Sequence, residues 1–297
     1  MSVTVSVVTH RSRAHVAACL EALRDAGGPV EEVLLVDSGS DDGTAACVRA
    51  AFPEVRVDEA GANVGYAVGH NRNFARARGR HFLALNPDVV LRPGTLERLV
   101  AALDADPALG AVTGRLRQAG CPARLDSAGI ARTPTRFVDR GRGAPAARFD
   151  REEDVFGACG AAALYRRRAL RAVSRPGEAP FAERFFMYYE DVDLAWRLRR
   201  AGFRTRYVPA AECLHVRGGS GADAAFVEYH LVRNRLWLSA RNARGRDLLR
   251  DLPGLLAFQA AKSVQAAWRP HVRAALADAW RGLGPALAAR RAPAGGL

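Results

Sequence analysis

The sequence predicts an α/β fold built on a mixed sheet that is flanked by helices. Two observations predict it. Short apolar segments rich in valine and leucine alternate with segments of helical period over the first ninety residues. Polar turns that contain glycine, asparagine and aspartate separate these segments. Strands separated by such helices pair in parallel through right-handed crossovers, and their ligands bind at the carboxyl ends of the strands.

Strands and helices are predicted in strict alternation in this region. The strands are Val3 to Val8, Val33 to Val36, Val55 to Val57 and His81 to Leu85. The helices run from an N-cap at Ser12 to about Ala26, onward from about Thr44, and from the Asn63-Val64-Gly65 turn to about Arg78. This alternation assigns the chain to the α/β class.

Beyond Gly94 the pattern becomes mixed. A helix to about Leu103 and a strand from about Ala111 to Leu116 are predicted first, and a helix from Glu190 to Arg200 and a strand from Phe203 to Val208 later. Between them lies a segment from Cys121 to Asp154 that is rich in Arg, Gly and Pro. It is long for a loop, so we expect an irregular segment that binds a ligand or is partly disordered, with order returning at Val155 to Arg168.

The composition is that of a globular protein with a strong basic excess. The 297 residues include 44 basic and 31 acidic ones, which gives a formal net charge of +13, and 49% are apolar. These proportions exclude a disordered or fibrous chain. Because only Lys262 is a lysine among the 44 basic residues, the arginines reflect a coding bias and are not each read as phosphate ligands.

Five widely spaced cysteines form no CxxC pair. This pattern suggests neither a zinc site nor a disulfide framework, and it favours a reduced, cytoplasmic compartment. The N-terminus lacks the pattern of a signal peptide, and no apolar run has the length needed to span a bilayer. Any membrane contact is therefore expected to be peripheral.

Candidate site residues follow the predicted strands. Thr9 ends the first strand, Asp37 the second, Asn86 and Asp88 the fourth, and His215 follows a late strand. In a parallel sheet these positions meet along one edge, so the side chains can converge over one crevice. Asp37 to Thr44 fits a nucleotide pocket or an ordinary turn with a helix N-cap, and the segments around Gly65 and Asn71 are equally open.

The segment Asn86-Pro87-Asp88 offers oxygen ligands at a strand end. Such ligands suit Mg²⁺ or Mn²⁺ that bridges a diphosphate, although the same letters also make an ordinary turn. His215 is followed by Arg217 and a Gly-Gly-Ser run that could face a phosphate or a metal. A lone histidine is more often a satisfied core or surface residue than a ligand.

Five bulky residues, from Phe185 to Tyr189, precede three acids that open a helix. Acids at a helix N-terminus are favoured by the macrodipole alone. Helical spacing, however, places Asp191 on the apolar stripe of Leu194 and Leu198, so its pKa should be raised toward that of a general base. Asp193 points elsewhere and can pair with Arg197 at i+4. Asp191 is thus the catalytic candidate and Asp193 the structural one.

Together these segments resemble the rhamnosyltransferase-like branch of family 2 glycosyltransferases of the GT-A fold. The matching segments, in order, are VSVVTH, VDSGSDDGT, NVGYAVGHN, LNPDV, GACGAAALYRR, FFMYYEDVDLAWRLRRAGF and YVPAAECLHVRGGS. They cover about residues 3 to 220, and EYHLVRNRLWLSARN extends the likeness to about Asn242.

The resemblance implies an inverting sugar transfer from a nucleotide-sugar donor. The residues that would bind the donor are Thr9, Asp37, Asn63, Gly65, Asn71 and Asn86. Asp88 would hold a divalent cation, Mg²⁺ or Mn²⁺, with His215 as a second ligand. Asp191 would deprotonate the acceptor hydroxyl, and Glu190 would help to position the acceptor. The sequence departs from the usual Asp-x-Asp metal motif at Asn86.

The resemblance also divides the chain. Residues 1–242 would form the glycosyltransferase domain, with a donor half over about 1–117 and an acceptor half over about 118–242, and residues 243–297 a basic amphipathic helical extension. The last 57 residues carry ten basic and three acidic side chains, a net +7. The apolar residues of the extension include Leu255, Leu256, Phe258, Val264, Trp268, Leu276, Trp280 and Leu283. They suit either peripheral contact with an anionic membrane or packing on the domain.

The donor and acceptor are expectations from the same resemblance. dTDP-rhamnose is the first choice of donor, ahead of UDP-hexose or UDP-galactofuranose, and the acceptor is a glycan or a lipid-linked sugar of cell-envelope synthesis. A nucleotidyltransferase would need a Gly-rich basic loop that residues 9–15 lack. A basic nucleic-acid-binding protein is the alternative of another class, but no such motif is present, so no nucleic-acid partner is expected.

Overall fold

The computed structural model describes residues 2–133, 136–174, 178–218 and 222–291. The strands are β1 (Val3–Thr9), β2 (Val30–Asp37), β3 (Arg56–Glu59), β4 (His81–Leu85), β5 (Val89–Leu91), β6 (Leu109–Gln118), β7 (Cys121–Ser127), β8 (Ile130–Arg132), β9 (Phe137–Asp139), β10 (Glu153–Val155), β11 (Ala162–Arg166) and β12 (Arg204–His215). The helices are α1 (Arg13–Asp25), α2 (Thr44–Ala51), α3 (Gly65–Arg76), α4 (Thr95–Ala105), α5 (Arg167–Val173), α6 (Glu190–Arg200), α7 (Ala224–Asn242), α8 (Arg246–Gln265), α9 (Pro270–Arg281) and α10 (Leu283–Arg291).

A central sheet has the order β10-β12-β6-β11-β4-β1-β2-β3. Strands β1 to β4 pair in parallel, which confirms the prediction for the first ninety residues. Strand β11 lies antiparallel between β4 and β6, and β5 pairs antiparallel with the end of β12. The sheet is therefore mixed, as predicted, and the parallel half places the ends of β1, β2 and β4 at one edge.

Core side chains fill both faces of this sheet. In β4, Leu83 and Leu85 pack on the face covered by α1 and α4, while Phe82 and Ala84 pack on the face of α3, α5 and α6. Successive strand residues point to opposite faces, so a strand buried on both faces is apolar throughout. This explains why β4 has no polar alternation in the sequence.

The segment from Cys121 to Asp154 is not irregular, so that prediction was wrong. Within the residues that the structure describes it contains β7, β8, β9, the start of β10 and a 3₁₀ turn, Ala146–Arg148. Strand β7 pairs with β6, β8 with β9, and β10 with β12. Strands β8, β9 and β10 are each three residues long, which is too short to show an alternation of apolar and polar residues in the sequence.

Two further predictions need correction. Strand β12 does not stop at Val208 but continues to His215, with a register shift at a bulge that contains Pro209. Ser12 is at the N-cap of α1, but its hydroxyl donates to the carbonyl of His10 and accepts no bond from the helix.

The C-terminal helices pack against α7. The indole Nε1 of Trp237 in α7 donates to the carbonyl of Ala279 in α9 at 2.9 Å, and Ala286 of α10 packs in the same cluster. Pro270 is the first residue of α9, where its missing N–H costs nothing. None of the helices in the described ranges combines the length and hydrophobicity needed to cross a bilayer.

Candidate active site

An open cleft of about 1400 Å³ lies at the carboxyl edge of the parallel strands. The predicted site residues that line it are Thr9, Asn63, Gly65, Asn86, Asp88, Glu190, Asp191 and His215. They come from both halves of the chain, from the end of β1 to the end of β12. The predicted convergence over one crevice is therefore confirmed for Asp88, Glu190, Asp191 and His215 but not for Asp37.

The wall at the ends of β1 and β2 is built from turn residues. The Ser38 hydroxyl donates to Asn63 Oδ1 at 3.1 Å and accepts the Val64 N–H at 2.8 Å. Gly65 has a φ of 76°, and a Cβ there would lie 2.6 Å from the ring of Phe186. Only glycine therefore lets α3 begin against the loop that precedes α6.

Two predicted donor-binding residues do not face the cleft. The Asp37 carboxylate is 2% exposed and accepts the Thr9 hydroxyl and the Ser40 N–H, each at 2.9 Å. The Asn71 amide donates to and accepts from the backbone of Phe181, at 2.8 and 3.0 Å. Asp37 thus orients Thr9, and the prediction that Asn71 binds the donor is wrong because its amide ties α3 to the segment before α6.

His215 lies between two carboxylates at the base of the cleft. Its Nδ1 is 2.7 Å from Asp126 Oδ2 and its Nε2 is 3.4 Å from Asp88 Oδ1. Burial alone would lower the pKa of His215, but its hydrogen bonds to Asp126 and Asp88 raise it to about 9. Arg217 also pairs with Asp126 and with Asp139, which fixes β12 to β7 and β9.

The chemistry of these side chains fits a divalent cation on a diphosphate. Asp126 orients the His215 ring so that its other nitrogen faces Asp88, and that nitrogen would bind a cation only after losing its proton. Among the described residues, no group of three or more His, Cys, Asp or Glu side chains forms a complete metal site. Mg²⁺ and Mn²⁺ need few protein ligands when a substrate diphosphate supplies the others.

Asp191 is the second residue of α6, and its carboxylate lies at the cleft wall. Its Oδ2 accepts the Gly160 N–H at 3.1 Å and its Oδ1 accepts its neighbour's N–H, that of Val192, at 2.8 Å. Burial raises the pKa of Asp191 to about 6, which confirms the predicted shift. The Tyr66 hydroxyl donates to the Gly160 carbonyl at 2.8 Å and so helps to fix the glycine whose N–H binds this carboxylate.

Glu190 is the neighbouring acid and is 5% exposed. Within the described ranges its Oε2 is buried without a hydrogen-bond partner. Burial, and then the charge of Asp191, raise the pKa of Glu190 well above its usual value. Two neighbouring carboxyl groups that share a low-dielectric wall do not both ionise readily, so an ionised Asp191 favours the protonated form of Glu190.

The loop before α6 has an unfavourable backbone. Phe186, Tyr188 and Tyr189 have φ values of 66°, 65° and 73°, a region that bulky residues rarely adopt. Such conformations cost about 1–3 kcal/mol each and persist only where surrounding contacts enforce them. The contacts come from Asn234 in α7, whose Nδ2 donates to the carbonyls of residues 185, 187 and 188 at 2.8–3.0 Å.

Asp193 lies on the opposite side of α6 and is fully buried. It accepts from Arg197 Nε at 2.8 Å, as predicted, and also from Arg241 Nε at 3.1 Å and Asn242 Nδ2 at 2.7 Å. The carboxylate therefore ties α6 to α7, which confirms that Asp193 is a structural acid.

Comparison with known proteins identifies the family of this chain. The family model "Glycosyl transferase family 2" matches residues 4–174, more than half of the chain. The chain belongs to this family. It is therefore a glycosyltransferase, in agreement with the resemblance of its motifs. The match runs from β1 to the end of α5, and the loop and acids at the start of α6 follow it directly.

Curated relatives place this glycosyltransferase in the rhamnosyltransferase-like branch. It is 32% identical over 264 residues to the N-acetylglucosaminyl-diphospho-decaprenol L-rhamnosyltransferase of Mycobacterium tuberculosis, over 80% of this chain and 84% of the relative. The succinoglycan biosynthesis protein ExoO of Rhizobium meliloti is 33% identical over 104 residues, which are 35% of this chain and 30% of that protein.

Solved structures show that the fold is GT-A. The mannosyltransferase PcManGT from Pyrobaculum calidifontis, solved with GDP-Man and Mn²⁺, has a TM-score of 0.59 at 22% identity, over 97% of this chain and 85% of that one. Residues 1–349 of TarS from S. aureus have a TM-score of 0.59 at 16% identity, over 98% and 83% of the two chains.

The structure adds residues of the glycosyltransferase that sequence reasoning missed. They are Tyr66, Asp126, Asp139, Gly160, Asn234, Arg241 and Asn242. A signal for the last three is visible afterwards: polar residues recur at helical spacing among the apolar residues of α7, which is unusual for a buried face. Asp126 lies in the segment that was expected to be irregular, and no local pattern marks it.

Proposed function

We propose that this glycosyltransferase moves L-rhamnose from dTDP-rhamnose, with inversion, to a hydroxyl of a lipid-linked sugar in cell-envelope polysaccharide synthesis. The 32% identity to a rhamnosyltransferase over most of both chains supports the donor and acceptor classes. The observation that carries the chemistry is Asp191, a carboxylate with a pKa raised to about 6 at the wall of the same cleft as Asp88 and His215.

The donor end of the cleft fits a nucleotide sugar. Thr9, Ser38 and Asn63 line the cleft at the strand ends, where ligands of open α/β sheets bind. Asp88 and His215, with the backbone of Asn86 beside them, would hold Mg²⁺ or Mn²⁺ against the donor diphosphate. Such a cation would neutralise the charge that develops on the leaving nucleoside diphosphate.

Asp191 is assigned the role of general base. The acceptor hydroxyl attacks the anomeric carbon, its proton passes to the Asp191 carboxylate, and the bond from that carbon to the diphosphate oxygen breaks. A base with a pKa near 6 is ionised at neutral pH and still basic enough to take part of the proton. The Gly160 N–H holds the carboxylate in place, and Glu190 beside it hydrogen-bonds and positions the acceptor.

We assign residues 1–117 to the donor half, 118–242 to the acceptor half and 243–297 to an extension that meets the inner face of the cell membrane. The extension is supported by exposed apolar residues on and after α8, including Leu256, Val264 and Trp268. Exposed tryptophan and leucine beside arginine suit an anionic bilayer surface.

Replacing Val264 and Trp268 by serine should reduce sedimentation with anionic vesicles. Unchanged sedimentation would contradict the proposed membrane contact of the extension.

Thermal shift with nucleoside diphosphates tests the donor assignment. dTDP should raise the melting temperature more than GDP or ADP, and Mn²⁺ should increase the shift, because a ligand that binds only the folded state stabilises it. A larger shift with UDP than with dTDP would move the donor to a UDP-sugar. No shift with either pyrimidine diphosphate at millimolar concentration would contradict the proposed function.

A further inference from the structure

The cleft continues well beyond the space that a nucleotide sugar needs. Small-molecule sites are usually about 300–1,000 Å³, whereas this cleft is about 1400 Å³. Its far end is lined by α7, α8 and the turn between α8 and α9, including Glu228, Leu231, Phe258, Lys262 and Arg269. Asp191 lines the same continuous cleft, so a second substrate at this end has access to the base.

Glu228 accepts hydrogen bonds from basic side chains of three parts of the chain at this end. Its carboxylate accepts from Lys262 Nζ of α8 at 2.5 Å, from Arg269 before α9 at 2.8 Å, and from His271 Nε2 at 2.8 Å. These hydrogen bonds, first that of His271 and then that of Lys262, lower the pKa of Glu228 to about 2. One negative charge thus faces at least two permanent positive charges, and the cluster keeps a positive excess toward the cleft.

Apolar side chains surround this cationic cluster. Leu231 and Phe258 line the same end of the cleft, and Lys262 Nζ is 5.7 Å from the centre of the Phe258 ring. Trp268, which directly precedes Arg269, is 63% exposed. Cations next to apolar surface are complementary to an amphiphile that joins phosphate to hydrocarbon.

We propose that Lys262 and Arg269 bind the diphosphate of a polyprenyl-diphosphate-linked acceptor, with Leu231 and Phe258 beside the first isoprene units. This inference rests on the proposed acceptor class, and it assigns a place to its diphosphate. The sugar of the acceptor then extends along the cleft toward Asp191. The nucleotide end holds the donor diphosphate near Asp88, so the cleft has two separate diphosphate sites.

Equilibrium binding of farnesyl diphosphate tests the subsite directly. The titration is done by calorimetry with dTDP and Mn²⁺ at saturating concentration, so that the donor end is occupied. Wild-type protein should bind, and the double variant Lys262→Gln/Arg269→Gln should bind about 10- to 100-fold more weakly, because each lost contact joins a cation to a phosphate. Farnesol, which lacks the diphosphate, should bind both proteins equally. Equal binding of farnesyl diphosphate by both, or none by the wild type, overturns the proposal.

A matched control removes the same charge elsewhere in the extension. Arg273→Gln/Arg281→Gln changes two exposed arginines, of which Arg281 forms an exposed pair with Asp278, and should keep the wild-type affinity. A loss as large as that of the first double variant would show that net charge alone attracts the ligand, which contradicts a defined subsite.

The variant Glu228→Gln distinguishes a cluster that binds a diphosphate from a cluster that only holds the helices together. If the cluster only joins α7 to α8 and α9, Glu228→Gln and Lys262→Gln/Arg269→Gln remove the same contacts. Both variants should then weaken the binding of farnesyl diphosphate equally. If the cations bind a diphosphate, removing the competing carboxylate leaves the affinity equal or higher. Binding in Glu228→Gln as weak as in the double variant therefore overturns the proposal, even where the double variant is less stable.

An alternative ligand for the cluster is the headgroup of an anionic phospholipid. Vesicle binding distinguishes this ligand from a polyprenyl diphosphate. Vesicles of phosphatidylglycerol and phosphatidylcholine should bind the double variant as they bind the charge-matched control. Reduced vesicle binding with unchanged farnesyl diphosphate binding would identify a headgroup site and overturn the proposal. A cluster-dependent affinity for farnesyl diphosphate without any dTDP-induced thermal shift would keep the subsite and reject the proposed donor.

Discussion

Two aspartates at the start of α6 face opposite sides of the helix and have opposite surroundings. Asp193 is fully buried and accepts from Arg197, Arg241 and Asn242. Asp191 accepts backbone N–H groups at the cleft wall, and in the described ranges no arginine or lysine pairs with it. The carboxylate with a structural role, Asp193, is thus neutralised by arginines. The carboxylate at the cleft, Asp191, is not neutralised in this way and is available for chemistry.

The largest expected effect is on turnover in Asp191→Asn. Asparagine keeps the size and the acceptor for the Gly160 N–H but cannot take a proton. We expect kcat to fall about 10³- to 10⁴-fold, which corresponds to about 4–5.5 kcal/mol, with dTDP binding unchanged. Nucleoside diphosphate release with acceptor present measures it. A variant that keeps a tenth of the activity would exclude Asp191 as the base.

Asp193→Ala should have the opposite signature, a loss of stability. Removing one member of a buried ion pair leaves Arg197 and Arg241 buried without their shared anion, at a cost of about 3 kcal/mol. Urea unfolding followed by circular dichroism measures the free energy of unfolding. The urea midpoint should be lower than that of the wild type, and the fraction of the variant that remains folded should keep activity. A midpoint equal to that of the wild type would show that α7 is held without this carboxylate.

Asn234→Ala tests whether the strained loop depends on α7. The change removes the amide that bonds three carbonyls beside Phe186 and Tyr188, so the loop should relax and displace Asp191. We expect kcat to fall about 10- to 100-fold while the KM of the donor stays within about twofold, an effect of about 2 kcal/mol.

Arg246→Gln is a control for this variant, because Arg246 is the exposed first residue of α8 and, among the described residues, forms no hydrogen bond or ion pair with the loop. It should retain wild-type kcat. If Asn234→Ala lowers only the free energy of unfolding and leaves kcat unchanged, the amide supports the fold without positioning the base.

The difference between Asp191 and Asp193 could be predicted from sequence because it depends on helical spacing. One acid shares the stripe of Leu194, and the other reaches Arg197 four residues later. The same local reasoning failed at Asn71, since asparagine near a glycine turn looks the same whether it binds a ligand or the backbone. Partners such as Arg241 and Asn234 were missed because they lie 46–49 residues from the groups they hold.

The pH profile sharpens the comparison without a mutation. Asp191 must be ionised to act as a base, and burial raises its pKa to about 6. Below that pH, kcat should fall about tenfold per pH unit, because each unit reduces the ionised fraction tenfold. Initial rates at saturating substrate between pH 4.5 and 8 measure it. A rate that stays constant down to pH 5 would show that the base has an ordinary carboxyl pKa.

The smallest expected effect is a gain in stability in Asp191→Asn. The folded pKa of about 6 exceeds the unfolded value of 3.8, so folding favours the protonated form. That contribution is complete below pH 3.8 and is lost as the pH rises through 6, which leaves an ionised carboxylate that destabilises the fold at pH 7. The full difference is about 3 kcal/mol, and partial exposure of Asp191 reduces the expected gain to about 1 kcal/mol. Asp191→Asn should therefore unfold at higher urea than the wild type at pH 7 and by a much smaller margin at pH 4. A variant that is less stable at both values would mean that the Asp191 charge, like that of Asp193, is balanced by the fold.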